Sequence, residues 1–107
     1  MVAANVDKLA KRLQQNPNDL QGWLMLGRSY AQMDRFSDAA AALDHALQLD
    51  PTNQDALIMA GIANYELRNY QKAVEYWQKL PQNSEYARSI ADQLAKAKQL
   101  AAGQTSR

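Results

Sequence analysis

Between residues 20 and 33 the apolar and small side chains Trp23, Leu26, Gly27 and Tyr30 recur at spacings of three and four, which predicts one buried stripe on a helix. Ala39, Leu43, Ala46 and Leu47 make a matching stripe over residues 37–49, a second helix. Asp34 and Arg35 supply a tight connection between the two, and Asp50-Pro51-Thr52-Asn53 stops the second helix and offers caps to whatever follows. Gly27 costs its helix on the order of 1 kcal/mol relative to Ala, so its natural use is to let the neighbouring helix approach closely. Small residues thus face large ones across the pair.

The pattern then recurs at a fixed period of 34 residues. Trp23 pairs with Leu57, Gly27 with Gly61, Phe36 with Tyr70, Ala39 with Ala73 and Leu43 with Trp77, while Pro17 and Pro51 carry the register backwards. Residues 20–53 and 54–87 are therefore two repeats of one helix-turn-helix unit. The second turns near Arg68-Asn69 and presents Ala73, Tyr76, Trp77 and Leu80 on its second helix. Val6, Leu9, Ala10 and Leu13 stripe a preceding helix over 2–15, in the place of an earlier repeat's second helix. Ser84 can cap a final helix over 84–102 that carries Tyr86, Ile90, Leu94, Ala97 and Ala101 and ends near Gly103. A repeat buries its apolar face only against neighbours, so two repeats with two covering helices reach the minimum for a stable stack. The expectation is an all-α domain over residues 1–103 with a short tail at 104–107.

Trp23-x-x-Leu26-Gly27-x-x-Tyr30, followed by Ala39, Leu43, Ala46 and Pro51, resembles the tetratricopeptide repeat (TPR) pattern at nearly every signature position. That resemblance implies a right-handed superhelical solenoid of about six helices. The second unit departs from the pattern at Asn64, where Tyr is usual, and at Leu80-Pro81, which cuts its second helix early. More narrowly, Leu9-Ala10-Lys11-Arg12-Leu13 and the string from Asn16 to Tyr30 resemble the start of the periplasmic TPR domain of c-type cytochrome maturation proteins, the CcmI/NrfG group. Ala60-Gly61-Ile62-Ala63 and the string from Ala73 to Pro81, with Ser84-Glu85, resemble its closing repeat. Members usually carry an additional repeat between these strings; here they are joined directly at Leu49-Asp50-Pro51. The resemblance implies a periplasmic module that holds the C-terminal helix of an apocytochrome c.

The resemblance also implies a concave face lined by the first helix of each repeat. In this chain its positions fall on Gln21, Leu24, Met25, Arg28, Ala31 and Gln32, then Asp55, Ile58, Met59, Ile62, Tyr65 and Glu66. Arg28 is the only basic side chain among them, which disfavours the clamp on a terminal carboxylate used by chaperone-binding TPR domains. A largely apolar groove containing Met suits the nonpolar face of an amphipathic client helix, with Arg28 and Glu66 placed to fix its register. Two other readings compete with this one. In one, Leu24, Ile58 and Ile62 pack against the terminal helix and the groove is filled internally. In the other, the groove or the terminal helix mediates a homodimer or larger assembly.

Composition removes alternatives. Twelve Lys and Arg against eleven Asp and Glu give a net charge of +1, too balanced for a binder dominated by nucleic-acid phosphates. No cysteine is present, so thiolate catalysis, thiolate zinc sites and covalent haem attachment to this chain are excluded, and either cytoplasm or periplasm suits it. No apolar run approaches the roughly 18 to 20 residues that cross a bilayer, and the opening Met1-Val-Ala-Ala-Asn-Val-Asp lacks the order of a signal peptide. Any export or anchoring segment is expected outside these residues. His45, the single histidine, is expected to face solvent rather than bind haem or metal, and Trp23, Trp77, Tyr30 and Tyr76 have core spacing. Gly22, Gly27, Gly61 and Gly103 make no phosphate loop. The expectation is a non-catalytic interaction module with no cofactor, metal or small-molecule substrate.

Overall fold

The computed structural model describes residues 2–105, with side chains from 5 to 104. Helix α1 spans Val2–Gln15 and α2 Leu20–Gln32; α3 follows at Phe36–Leu49, α4 at Gln54–Glu66 and α5 at Tyr70–Gln78. Two further helices, α6 (Glu85–Ser89) and α7 (Ala91–Thr105), close the chain. Side-chain caps start three of them. Asp19 accepts from the Gly22 amide at 3.0 Å, Asn53 from Ala56 at 2.9 Å and Ser84 from Ala87 at 3.1 Å, each satisfying a donor that the first turn leaves open.

Helices α1 to α5 each pack on the next, α5 then packs on α7, and α4 also touches α2 across the repeat. The glycines explain how closely. A Cβ added to Gly27 would lie 2.7 Å from Leu43, and one added to Gly61, a period later, would lie inside the Trp77 indole. Both contacts are one small-to-large packing event repeated at 34 residues. The connections repeat as well: Asp34 and Arg68, also a period apart, both adopt the left-handed conformation, with φ of 59° and 64°. In each turn the following residue closes back on the first helix, Arg35 N–H donating to the Tyr30 carbonyl at 2.9 Å and Asn69 N–H to that of Asn64 at 2.8 Å.

The core is two adjoining clusters. Val6, Leu13, Trp23, Leu24, Leu26 and Leu43 anchor the first, and Leu57, Val74, Trp77, Leu80, Ile90 and Ala97 the second. Leu47 and Tyr76 touch both, and the Tyr76 hydroxyl donates to Asp44 at 2.9 Å, tying α5 to α3. Asn64, at the position where the repeat pattern has Tyr, is buried but satisfied. Its amide donates to the Ala60 carbonyl at 2.8 Å and accepts from Asn69 at 3.4 Å.

The closing segment differs from the single helix expected over 84–102. It breaks at Ile90, giving seven helices among the described residues. Ser89 Oγ donates to the Tyr86 carbonyl at 2.8 Å, a local bond that competes with the helix ladder, while Ile90 turns into the second cluster. Nor does Gly103 end the helix: it keeps a negative φ and α7 runs on to Thr105, so residues 104 and 105 are helical rather than tail. Residues 106 and 107 of the expected tail lie outside the described residues.

Candidate functional site

Helices α2 and α4 carry the twelve concave positions, and packing sorts them into three groups. Leu24 is 5% exposed and belongs to the first core cluster, which α1, α3 and α4 build with α2 through Val6, Leu13, Leu43, Ala56 and Ala60. It lies beneath the surface expected to bind, a correction to its assignment as a contact residue. Ala31, Ile58, Met59 and Tyr65 are half-buried. Ile58 lends its carbonyl to the Trp77 indole N–H at 3.2 Å, Met59 leans on the first cluster, and Tyr65 packs edge-on to Tyr70 and obliquely on Trp77. Met25 at 57% and Ile62 at 41% are exposed, beside the exposed polar side chains of Gln21, Arg28, Gln32, Asp55 and Glu66.

The large difference between register partners has a simple cause. Ile58 follows Leu24 by one period and Met59 follows Met25, yet burial changes in opposite senses: Leu24 shares the first cluster with Ala56 and Ala60 of α4 and Met59 packs on that cluster, whereas among the described residues no first helix packs on the Met25 side of α2 as α2 packs on α4. Helix α4 is apolar around its circumference. Ala56, Leu57, Ala60 and Ala63 face neighbours, which leaves Ile58, Met59 and Ile62 for the concave side. The closing segment covers this face only in part: Ile58 packs on the cluster that holds Ile90 and Ala97, while Ile62 stays exposed and α7 packs chiefly on α5, with Gln104 donating to the Arg68 carbonyl at 3.0 Å. Asp55 is engaged from the end of the groove, accepting from the Tyr86 hydroxyl of α6 at 2.8 Å, and that bond raises the Tyr86 pKa. The Tyr76 hydroxyl, desolvated and bonded to Asp44, is pushed up to about 12.

Two clefts escape a reading of helical stripes. One, of about 390 Å3, lies between α1 and α3 over Trp23, whose indole donates to the Pro17 carbonyl at 2.8 Å. His45 is exposed, as expected, and stacks on Trp23 at 4.1 Å with the rings nearly parallel. The other, of about 500 Å3, opens between α1 and α2 beside Met25. Its signal was present in the sequence as Lys8 and Arg12 flanking Leu9. Among the described residues no three His, Cys, Asp or Glu side chains converge, and no helix is long and apolar enough to cross a membrane.

Comparison with known proteins follows the same division. Residues 8–58 match the family model described as cytochrome c-type biogenesis protein H TPR domain, and residues 55–89 match a tetratricopeptide repeat model. The cytochrome c-type biogenesis protein CycH of Pseudomonas aeruginosa is 27% identical over 141 aligned positions, covering 92% of this chain and 35% of that protein. Those 141 positions exceed the 107 residues of the chain, so CycH carries at least one repeat length of sequence with no counterpart here. CcmH of Escherichia coli K12 is 45% identical over 47 residues, 44% of this chain and 13% of CcmH. The chain thus spans about a third or less of these curated relatives. Among solved structures, the first TPR of Spaghetti (RPAP3), bound to the HSP90 peptide SRMEEVD, superimposes with a TM-score of 0.79 at 19% identity, over 94% of this chain and 80% of that one, and shows the shared fold. Two overlapping family matches and the glycine contact repeated at their period give one answer: the chain is a protein-interaction module of the tetratricopeptide repeat family, related to the TPR domain of the CcmH/CycH cytochrome c-type biogenesis proteins.

Proposed function

We propose that the concave face of α2 and α4 binds the nonpolar side of a client helix, the favoured client being the C-terminal helix of an apocytochrome c in the periplasm. The observation that carries the reading is the exposure of Met25 and Ile62, the two most exposed large apolar side chains among the described residues, on neighbouring first helices. Met adapts its shape, Ile62 adds a branched contact, and half-buried Met59 and Tyr65 continue the apolar strip. Burial of such side chains contributes about 0.8 kcal/mol per CH2, so a few anchors suffice for micromolar affinity against the ordering cost. Arg28 and Glu66 stand at the strip's polar margins and set the register of charges on the ligand. The relation to CcmH and CycH supports the client and the compartment.

The test is a titration of isotope-labelled protein with the C-terminal helix of an apocytochrome c. Saturable shifts are expected at Met25, Ile62 and Tyr65, and Ile62→Glu should abolish them with the helical circular dichroism unchanged. Absence of saturable shifts at those three positions sinks the reading. The variant must be made at Ile62 rather than at Leu24, which is a core residue.

A further inference from the structure

We infer that the notch between α1 and α2, at the N-terminal edge of the stack, is a second docking site that takes an amphipathic helix with acidic residues along its edges. The notch holds about 500 Å3 over Val6, Leu9, Met25 and Ser29, with Lys8 and Arg12 on its rim. Its shape follows from the period of the chain. Lys8, Leu9 and Arg12 stand 34 residues before Ala42, Leu43 and Ala46, the fully buried stripe of α3, where Leu43 lies over Gly27 of α2. Met25 and Ser29 stand 34 before Met59 and Ala63, which are half-buried and buried where α4 meets α2 and α3. The notch is therefore to α1 and α2 what the bed of α2 is to α3 and α4. The object that matches it is a helix.

Its lining states what kind of helix. Where α3 has Ala42 and Ala46, which allow the close approach of a permanently packed partner, α1 has two long cations. Lys and Arg lay their stems along apolar surface and keep their charges at its edge, so they flank a ligand rather than lie under it. Among the described residues neither Lys8 nor Arg12 forms an ion pair, the surface pair being Arg35 with Asp38 at 2.8 Å. Exposed Arg28, one turn from Met25, adds a third positive charge beside the notch. A helix with Leu or Ala on one face and Glu or Asp along its edges complements this arrangement. A second copy of the chain does not, because its terminal helix α7 brings Lys96 and Lys98 against a single Asp92. The site adjoins the concave face at Met25 but does not depend on a client helix binding there.

Two synthetic amphipathic peptides of about four turns, sharing a Leu/Ala face and carrying either Glu or Lys on both edges, test it against the isotope-labelled 107-residue chain. The Glu peptide is expected to bind about tenfold tighter than the Lys peptide, with shifts centred on Leu9 and Ser29. The double substitution Lys8→Glu with Arg12→Glu, both at exposed positions, should keep the helical circular dichroism and invert the preference. Equal affinities, binding by neither peptide, or shifts confined to Ile58, Ile62 and Tyr65 would overturn the inference, as would self-association in a sedimentation series that shifts Leu9 and Ser29 without peptide. A failed apocytochrome titration would leave all of these outcomes unaffected.

Discussion

Gly61→Ala is the sharpest perturbation the fold offers, because local helix physics and tertiary packing predict opposite signs. In an isolated helix the change stabilises by about 1 kcal/mol. In the stack the new methyl would occupy the space of the Trp77 indole, which is 2% exposed and donates to the Ile58 carbonyl at 3.2 Å. A rigid ring held on both sides cannot rotate away as a terminal methyl can. Overpacking costs about 1–3 kcal/mol, and a weakened buried hydrogen bond adds about 0.5–1.5 kcal/mol. After the gain in helix propensity the expected net is a loss of about 0.5–3.5 kcal/mol, read as a lower urea midpoint or as a fall of roughly 4 °C in Tm for each kcal/mol. Gly103→Ala is the control, since a Cβ there meets nothing within 4 Å. It should gain up to about 0.5 kcal/mol from helix propensity alone near a helix end. The reasoning is refuted if Gly61→Ala is as stable as the parent, or if the two variants shift the midpoint alike.

Other outcomes follow from the same geometry. Leu24→Glu should unfold the N-terminal half rather than merely block binding, since it buries a charge without a partner; loss of helical circular dichroism at room temperature checks this. Arg68→Gly should stabilise by about 0.5–1 kcal/mol, and Asp34→Gly similarly, because each relieves a side chain held at positive φ; urea unfolding measures it. Tyr76 keeps its proton to about 12 against an ordinary value of 10, so its contribution is fully present below pH 10 and is lost as pH rises through 12. Between those values the parent should lose stability faster than Tyr76→Phe, as urea unfolding across that pH range measures.

Much of this molecule was legible in 107 letters. The period of 34, the boundaries of α1 to α3 within a residue, the turn near Arg68-Asn69, the capping by Asn53 and Ser84, and the glycines as points of close approach all follow from spacing and turn chemistry, because helical periodicity fixes which residues share a face. Asn64 was visible as a departure from the repeat, though not its bond to Asn69, which depends on how the turn closes. What periodicity does not fix is the neighbour that covers a face. Leu24 and Met25 are adjacent on one helix, and only the packing of α2 against its neighbours buries the first in the core cluster and leaves the second open. The break at Ile90 likewise arises from a serine bond and a core contact too local, or too distant in sequence, to appear as a pattern. The tie between Tyr76 and Asp44, 32 residues apart, exists because stacking brings α5 beside α3. Periodicity specifies the repeating unit, while stacking selects which of its faces remain for a partner, since exposure is a property of the stack and not of any one helix.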